Sequence, residues 1–414
     1  MKTKGGRGMD ANRITRRQFL RTAAVAAAAS CWPVRRVHGQ GAPVRIGFAI
    51  SETGPYAIGA GITQLPNYIL WRDQVNARGG LMVRGEGRRR VEFVQFDDRS
   101  DIETAVRLYE RLVSVERVDL LLPPWGTAMH FAVAPIFNRA GYPLLGPTVG
   151  SLRLRELRLP YFYAMLAQPD AQMTALVGLL KELRRQHGFN RVAVIYVNDL
   201  FGIEHYQYLR PLLRQERFDV VEERAYPLGV TDLSDVLRSI QAKRVDAFVG
   251  LTYPADTNLV VAQATGLGFN PPVFYTAVGT AFPAFRDRFG ASAEGVMGIG
   301  VWNPKVPYQG AREYFQAHVD KFRREPDRWA SAFTYAALQI LERAVAEVGL
   351  DRGRMKEYLD RTTFETVVGP VRFVNGVNRT TPGMVGQWQR GEFEVVWPRE
   401  RATASPVIPK PAWR

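Results

Sequence analysis

Thr127 occupies the most chemically suggestive place in this 414-residue sequence. In "LLPPWGTAMH" (121–130) an apolar run stops at Pro123-Pro124, Trp125 and Gly126 follow, and "FAVAPIFNRAG" then continues with helical spacing. A buried strand that turns into a helix is where α/β proteins place ligands. A threonine there could act as a nucleophile, form part of a cradle for a small molecule, or simply cap the helix. Nucleophilic chemistry needs partners, and the sequence offers few. Beyond residue 39 there are four histidines, His130, His187, His205 and His318, none paired at metal-ligand spacing. The dinucleotide, phosphate-loop and nucleophile-elbow motifs are all missing. Asp97-Asp98 could suggest acid chemistry, but adjacent strand side chains face opposite ways, so a strand-end turn or cap is the expected role. These absences favour a binder over an enzyme, with no metal and no cofactor.

The elements that must position Thr127 are legible as alternating periods. Strand candidates are "VRIGFAI" (44–50), "VEFVQFDD" (91–98), "VDLLLPP" (118–124), "YPLLGPT" (142–148), "RVAVIYVND" (191–199), "VDAFVGLT" (245–252) and "PVFYTAV" (272–278). Several are apolar throughout, as strands covered on both faces are. Between them lie amphipathic helices. One follows Ser100, with Ser100 and Glu103 in the spacing of a capping box; another follows Thr231; a long one runs over 329–349. Pro135 is expected to kink or restart the helix after Thr127. Strand–helix alternation implies parallel sheets with right-handed crossovers. The strands are too many for one compact sheet, and no long Gly/Ser linker divides them. Two α/β lobes follow, with a chain that crosses between them more than once and a cleft at the strand ends.

The formal charge of +15 suggests nucleic acid at first sight. Residues 1–39, however, carry nine of the 55 Lys/Arg and one of the 40 Asp/Glu, so the remainder carries 46 bases against 39 acids, a net +7 without a basic block. Nucleic acid is therefore not an expected partner. The basic front reads as an export signal. In "TRRQFLRTAAVAAAAS", Arg16-Arg17 precede Phe19-Leu20 and a small apolar run from Ala23 to Ala29, too short to span a bilayer. The paired arginines resemble the twin-arginine signal that carries folded proteins across the bacterial inner membrane. "VHG" at 37–39 offers a cleavage site, so residues 1–39 are read as signal peptide and the mature chain as starting near Gln40. Cys31, in "AASC", is the only cysteine and falls within this segment, where it offers at most a weak lipid-attachment site.

Eight segments then fall in one order: "ISETGPYAIGAG" (50–61), "VNARGGL" (75–81), "VQFDDRSD" (94–101), "APIFNRAGYPLLGP" (134–147), "VNDLFG" (197–202), "ASAEGV" (291–296), "FTYAALQ" (333–339) and "TVVGPVRF" (366–373). Together they resemble the leucine/isoleucine/valine-binding protein family, the type I periplasmic binding proteins of ABC importers, over nearly the whole mature chain. The resemblance implies an α/β fold of two Rossmann-like lobes joined by three crossovers, here 42–168 plus 302–375 and 169–301 plus 376–414, closing by a hinge on a solute between them. It makes Thr127 a carboxylate ligand, with Ala128 beside it and backbone groups near Thr148, and a helix N-terminus suits that anion. Trp125 is placed in the cleft, Tyr56 at its mouth, Phe201 where the family has a tyrosine ring, Thr252 and Tyr253 as further contacts, and Trp302 near a crossover.

The family's carboxylate for an α-ammonium falls on Val278, which has no charge, and its usual hydroxyl falls on Gly150, although Ser151 is adjacent. Asp256 could replace the acid but is expected to start a surface helix. A buried ammonium without a counter-charge is costly. The expected solute is thus an aromatic or other organic acid against a wall of Trp125, Phe201 and Tyr253. A branched-chain amino acid or small amide is the alternative. The implied partners are an ABC permease and the twin-arginine machinery, the location is periplasmic, and a monomer is expected. A sensing module for a receptor and an enzyme on the same scaffold are the other classes.

The export reading has a direct test. Arg16→Lys with Arg17→Lys should leave precursor in the cytoplasm, and unchanged periplasmic yield in fractionated cells rejects the twin-arginine assignment.

Overall fold

The computed structural model describes residues 41–414, which from Ala42 onward form one compact unit. The export signal and Cys31 lie outside the described residues. Most of the apolar strands foreseen in the sequence are almost wholly buried, Val91–Asp97 being the half-exposed exception, and they assemble into two sheet systems. In the first, Val44–Ile50 pairs in parallel with Val91–Asp97 on one side and Leu120–Leu121 on the other. Beside it, Leu144–Gly146 and Phe162–Ala164 pair in parallel, and the sheet continues through Val377–Asn378, Gly369–Val374 and Thr363–Thr366. The second system is a single seven-stranded sheet. Its order is Glu392–Trp397, Val385–Gln389, Met297–Gly298, Val273–Thr276, Ala247–Leu251, Arg191–Val197 and Asp219–Tyr226.

The order of these strands along the sequence makes the chain pass between the two systems three times: after Ala164, after Gly298 and after Asn378. Helices cover the parallel strands, as continuous apolar strands require. Ser331–Val348, the long helix read from the sequence, buries thirteen of its 18 residues between the sheet of strand Leu144–Gly146 and helix Leu65–Ala77. Helix Thr127–Ala140 runs unbroken through Pro135, which is exposed. The strand in "VDLLLPP" shrinks to Leu120–Leu121. The carbonyls of Pro123 and Pro124 instead accept bonds from Gln64 Nε2 at 3.2 and 3.1 Å, so this segment already bends toward the strand-end loops.

One local expectation is corrected. Helix Ile102–Ser114 is capped by Asp101, whose carboxylate accepts the Thr104 amide at 2.8 Å, and there is no Ser100–Glu103 box. Ser100 is one residue too early. Its amide is taken by Asp98 Oδ1 at 2.9 Å, and its hydroxyl donates to the Thr53 carbonyl at 2.7 Å. Asp101→Ala should therefore cost roughly 0.5–2 kcal/mol in urea unfolding, while Glu103→Gln, on a side chain that is 87% exposed, should stay within about 0.5 kcal/mol of wild type. Equal losses in both variants would restore the box.

Candidate functional site

The site is assembled at the ends of the parallel strands. The loop after Val44–Ile50 delivers its first ring. Asp97 accepts the Glu52 amide at 3.0 Å and the Thr53 hydroxyl at 2.8 Å, while Ser100 Oγ accepts the Tyr56 amide at 3.0 Å. Gly54 takes a φ of +83°, which favours glycine, and the turn aims Tyr56 inward. Asp98 serves the other face of this strand end. It is fully buried, accepts Ser51 Oγ at 2.6 Å, and keeps Oδ2 without a partner; burial pushes its pKa up to about 6.

Trp125 packs against the same loop. Its indole N–H donates to Thr63 Oγ1 at 2.8 Å, and only a glycine fits beside it, because a Cβ on Gly59 would lie 2.2 Å from the ring. Gly126, at φ +92°, turns the chain into helix Thr127–Ala140. Thr148 Oγ1 accepts the Gly126 amide at 3.2 Å and donates to Gln64 Oε1 at 2.7 Å, so that hydroxyl is fully used. Thr127 Oγ1 accepts the Gly150 amide at 3.2 Å, but its own proton meets no acceptor among the described residues. The first amides of the helix, with Ala128 half-buried among them, likewise lack intrahelical acceptors. Free donors and the positive end of a helix dipole make this corner suited to a carboxylate.

The seven-stranded sheet supplies the opposing rings. Phe201 lies in the first turn of helix Leu200–Gln215, and Tyr253 immediately precedes helix Pro254–Leu267. Phe201 stacks on Tyr253 with centroids 5.0 Å apart, and Tyr253 meets Trp125 and Tyr56 at 5.3 Å each. Asp199 caps the Leu200–Gln215 helix through the Leu200 amide at 2.6 Å. Its Oδ2 also accepts both the Tyr56 hydroxyl at 3.1 Å and the Tyr253 hydroxyl at 2.6 Å. Burial, reinforced by the Asp199 charge, raises both phenol pKa values, so both tyrosines keep the protons they donate.

Of the residues singled out in the sequence, the structure thus gathers Tyr56, Trp125, Thr127, Phe201 and Tyr253, with Thr148 supporting the corner. Thr252 and Val278 are fully buried, with the Val278 amide on the Thr252 carbonyl at 3.0 Å. Thr257 donates to the Val278 carbonyl at 2.6 Å, leaving Thr252 to donate to Thr257 at 2.6 Å. Trp302 stands apart from the ring cluster. Its N–H donates to the Val367 carbonyl at 2.9 Å and its ring meets Tyr314 edge-on, which makes it crossover packing and not a cleft wall. Ser151 turns away, donating to Glu204 Oε1 at 2.7 Å.

Asp256 does start a helix, Pro254–Leu267, which is partly exposed, but its own side chain is buried. It accepts the Tyr253 amide at 3.3 Å and the Tyr226 hydroxyl at 3.2 Å, and burial pushes its pKa up to about 6. Asp199 was visible in "VNDLFG" without a role. Phe282 and Trp329 were not anticipated: Trp329 meets Trp125 edge-on at 6.3 Å and Phe282 at 6.5 Å, extending the ring chain. The cue for Trp329 is the Asp-x-Trp spacing, since Asp327 accepts the Trp329 and Ala330 amides at 2.7 Å and fixes the tryptophan ahead of the long helix.

Elsewhere a cavity of about 720 Å³ is lined by Arg158, Phe162, Lys356 and Arg372, but it is an open surface trough that none of these rings lines. Among the described residues no group of three His, Cys, Asp or Glu side chains could hold a metal ion.

Comparisons with known proteins converge on one class. The model of a family described as periplasmic binding proteins matches residues 43–392. Leu/Ile/Val-binding protein homolog 7 of Brucella abortus is 24% identical over 389 residues, covering 89% of this chain and 95% of the relative. The solved structure of the branched-chain amino acid transporter substrate-binding protein LivJ of Streptococcus pneumoniae, in complex with isoleucine, superposes with a TM-score of 0.74 at 22% identity, covering 89% of this chain and all of that one. An ABC transporter solute-binding protein of R. palustris in complex with benzoate gives a TM-score of 0.72 at 16% identity, covering 89% of this chain and 97% of the other.

The Asp256 geometry sets a pH dependence. Its folded pKa of about 6 lies above that of an ordinary carboxyl, so between about pH 4 and 6 the native state holds a proton that the unfolded chain has released. Stability contributed by this group is present below that window and declines as pH rises through it. Relative to Asp256→Asn, which keeps an acceptor, wild type should lose on the order of 2–3 kcal/mol between pH 4 and 7. Parallel urea titrations check this, and a constant difference rejects it.

Proposed function

The chain belongs to the periplasmic binding proteins, a family of solute binders and not of enzymes, and on that premise we propose that it captures a small carboxylate-bearing organic solute, an aromatic acid in the first place, and delivers it to an ABC importer. One observation carries the reading: rings from both sheet systems converge on the helix N-terminus at Thr127, where donors stand free. The carboxylate sits on the Thr127 hydroxyl and the first helix amides. The flat body of the solute lies among Trp125, Tyr56, Tyr253 and Phe201. Among the described residues no helix is long and apolar enough to cross a membrane, and delivery falls to a separate permease. The binding of benzoate by one structural neighbour is in keeping with such a solute.

The hinge halves of this reading are 42–168 plus 302–375 and 169–301 plus 376–414, with the last crossing between Asn378 and Val385. The Tyr56–Asp199 contact bridges them, while Tyr253 holds Asp199 from its own half, so solute entry parts the bridging contact and closure re-forms a clasp around the solute. Export follows the twin-arginine route proposed from residues 1–39.

A second reading rests on its own observation, the Asp199 carboxylate within the ring cluster. A branched-chain amino acid would place its ammonium there, in exchange for the tyrosine hydroxyls. Calorimetry separates the two. Benzoate binding that is kept in Asp199→Asn supports the organic acid. Leucine or valine binding that collapses in Asp199→Asn supports the amino acid. In either case Thr127→Val removes a hydrogen bond to a charged group, roughly 1.5–3 kcal/mol, and should weaken binding about 10- to 150-fold. Wild-type affinity in that variant would reduce Thr127 to a helix cap.

A further inference from the structure

Five tryptophans of this chain place the indole N–H on a defined acceptor: Trp71 on Glu342, Trp125 on Thr63, Trp302 on Val367, Trp388 on Thr280 and Trp413 on Phe269, all at 2.6–2.9 Å. Trp329 departs from this pattern. It is 5% exposed, and its Nε1 is buried without any partner. Its place is not incidental. The ring sits between Trp125 and Phe282, three rings along the aromatic chain from Phe201. Its backbone is held by Asp327, and the preceding Arg328 bonds the Ala281 carbonyl at 3.0 Å and receives the Val301 amide at 2.9 Å, so the indole is anchored where segments of both sheet systems meet. Buried donors in native proteins are paired, and an orphan among rings requires an explanation.

We propose that the solute carries a second hydrogen-bond acceptor, set away from its carboxylate, to which the Trp329 indole N–H donates. This rests on the organic-acid reading and narrows it: an aromatic acid bearing a ring oxygen fits, and an unsubstituted one leaves the donor orphaned. Trp329 is then a specificity-determining residue. A site built to hydrogen-bond a substituent discriminates against the analogue that lacks it, because the buried donor is left unpaired.

The test uses matched pairs, benzoate against 3- and 4-hydroxybenzoate, and leucine against its near-isostere asparagine. Affinities are measured by calorimetry on wild type and on Trp329→Phe, which keeps a ring and removes the N–H. The expected result is a preference of wild type for an oxygen-bearing acid over benzoate by about 3- to 10-fold, read as a ratio of affinities that falls to about one in Trp329→Phe. A second readout needs no variant: the indole N–H proton resonance of Trp329 should move downfield on saturation with the preferred acid and not with benzoate. Binding of the benzoate series with no Trp329-dependent preference and no such movement overturns this inference and leaves the organic-acid reading standing. A Trp329-dependent preference confined to asparagine over leucine does the reverse. Failure of all the probes to bind overturns both.

Discussion

A single carboxylate oxygen joins the two halves of the site. Asp199 Oδ2 accepts the hydroxyl of Tyr56, carried by the loop after the first strand, and that of Tyr253, carried by the seven-stranded sheet. Everything else at the site is arranged around that convergence. The Asp97 and Ser100 bonds fix the turn bearing Tyr56, helix capping fixes Asp199 itself, and the ring contacts of Trp125 and Phe201 follow from where the two tyrosines are held. A charge-assisted bond is stronger than a neutral one, particularly away from water. The contact is therefore firm enough to define a geometry, yet small enough in number of bonds for a hinge to break it.

The division of polar groups at the site follows from the cost of leaving them unpaired. The hydroxyls of Thr148 and Thr252 are consumed in bonds to neighbouring side chains, and Asp256 is consumed in starting its helix and holding Tyr226. Among the groups that stay unspent are the Thr127 proton with its helix amides, beside Trp125, and the N–H of Trp329, the next ring in the chain. An apolar interior penalises unpaired donors, and the proposed solute, with a carboxylate and a second acceptor, would pair both.

The fold was readable because its strands are apolar runs and its helices have periodic faces, and both signals are local. The gathering of Tyr56, Trp125, Thr127, Phe201 and Tyr253 was readable for a related reason, since each sits within a few residues of a strand end and strand ends of parallel sheets share one edge. Trp302 met the same criterion and still went elsewhere, because its indole found the Val367 carbonyl at the crossing. Asp199 was hidden by its neighbours: an aspartate before a helix reads as a cap, and only tertiary packing shows that its second oxygen is shared by two phenols. Trp329 was hidden by distance, some two hundred residues from Trp125, with nothing periodic to tie them. Ser100 and Asp101 show the resolution limit of pattern reading, where a one-residue shift moved the cap and freed the serine to hold the Tyr56 turn.

The edge-on contact of Trp125 with Trp329 has an optical consequence. Two indoles with centroids 6.3 Å apart and planes inclined by 72° form a coupled pair of chromophores, and they stand where the halves of the molecule meet. Both indoles belong to the same proposed half, and each meets a ring of the other, Tyr253 or Phe282, so a hinge movement would change the surroundings of the pair more than its own geometry. Under the proposed function, near-ultraviolet circular dichroism and emission of the unlabelled chain would then follow occupancy, and a reagentless sensor could be built on it without adding a dye.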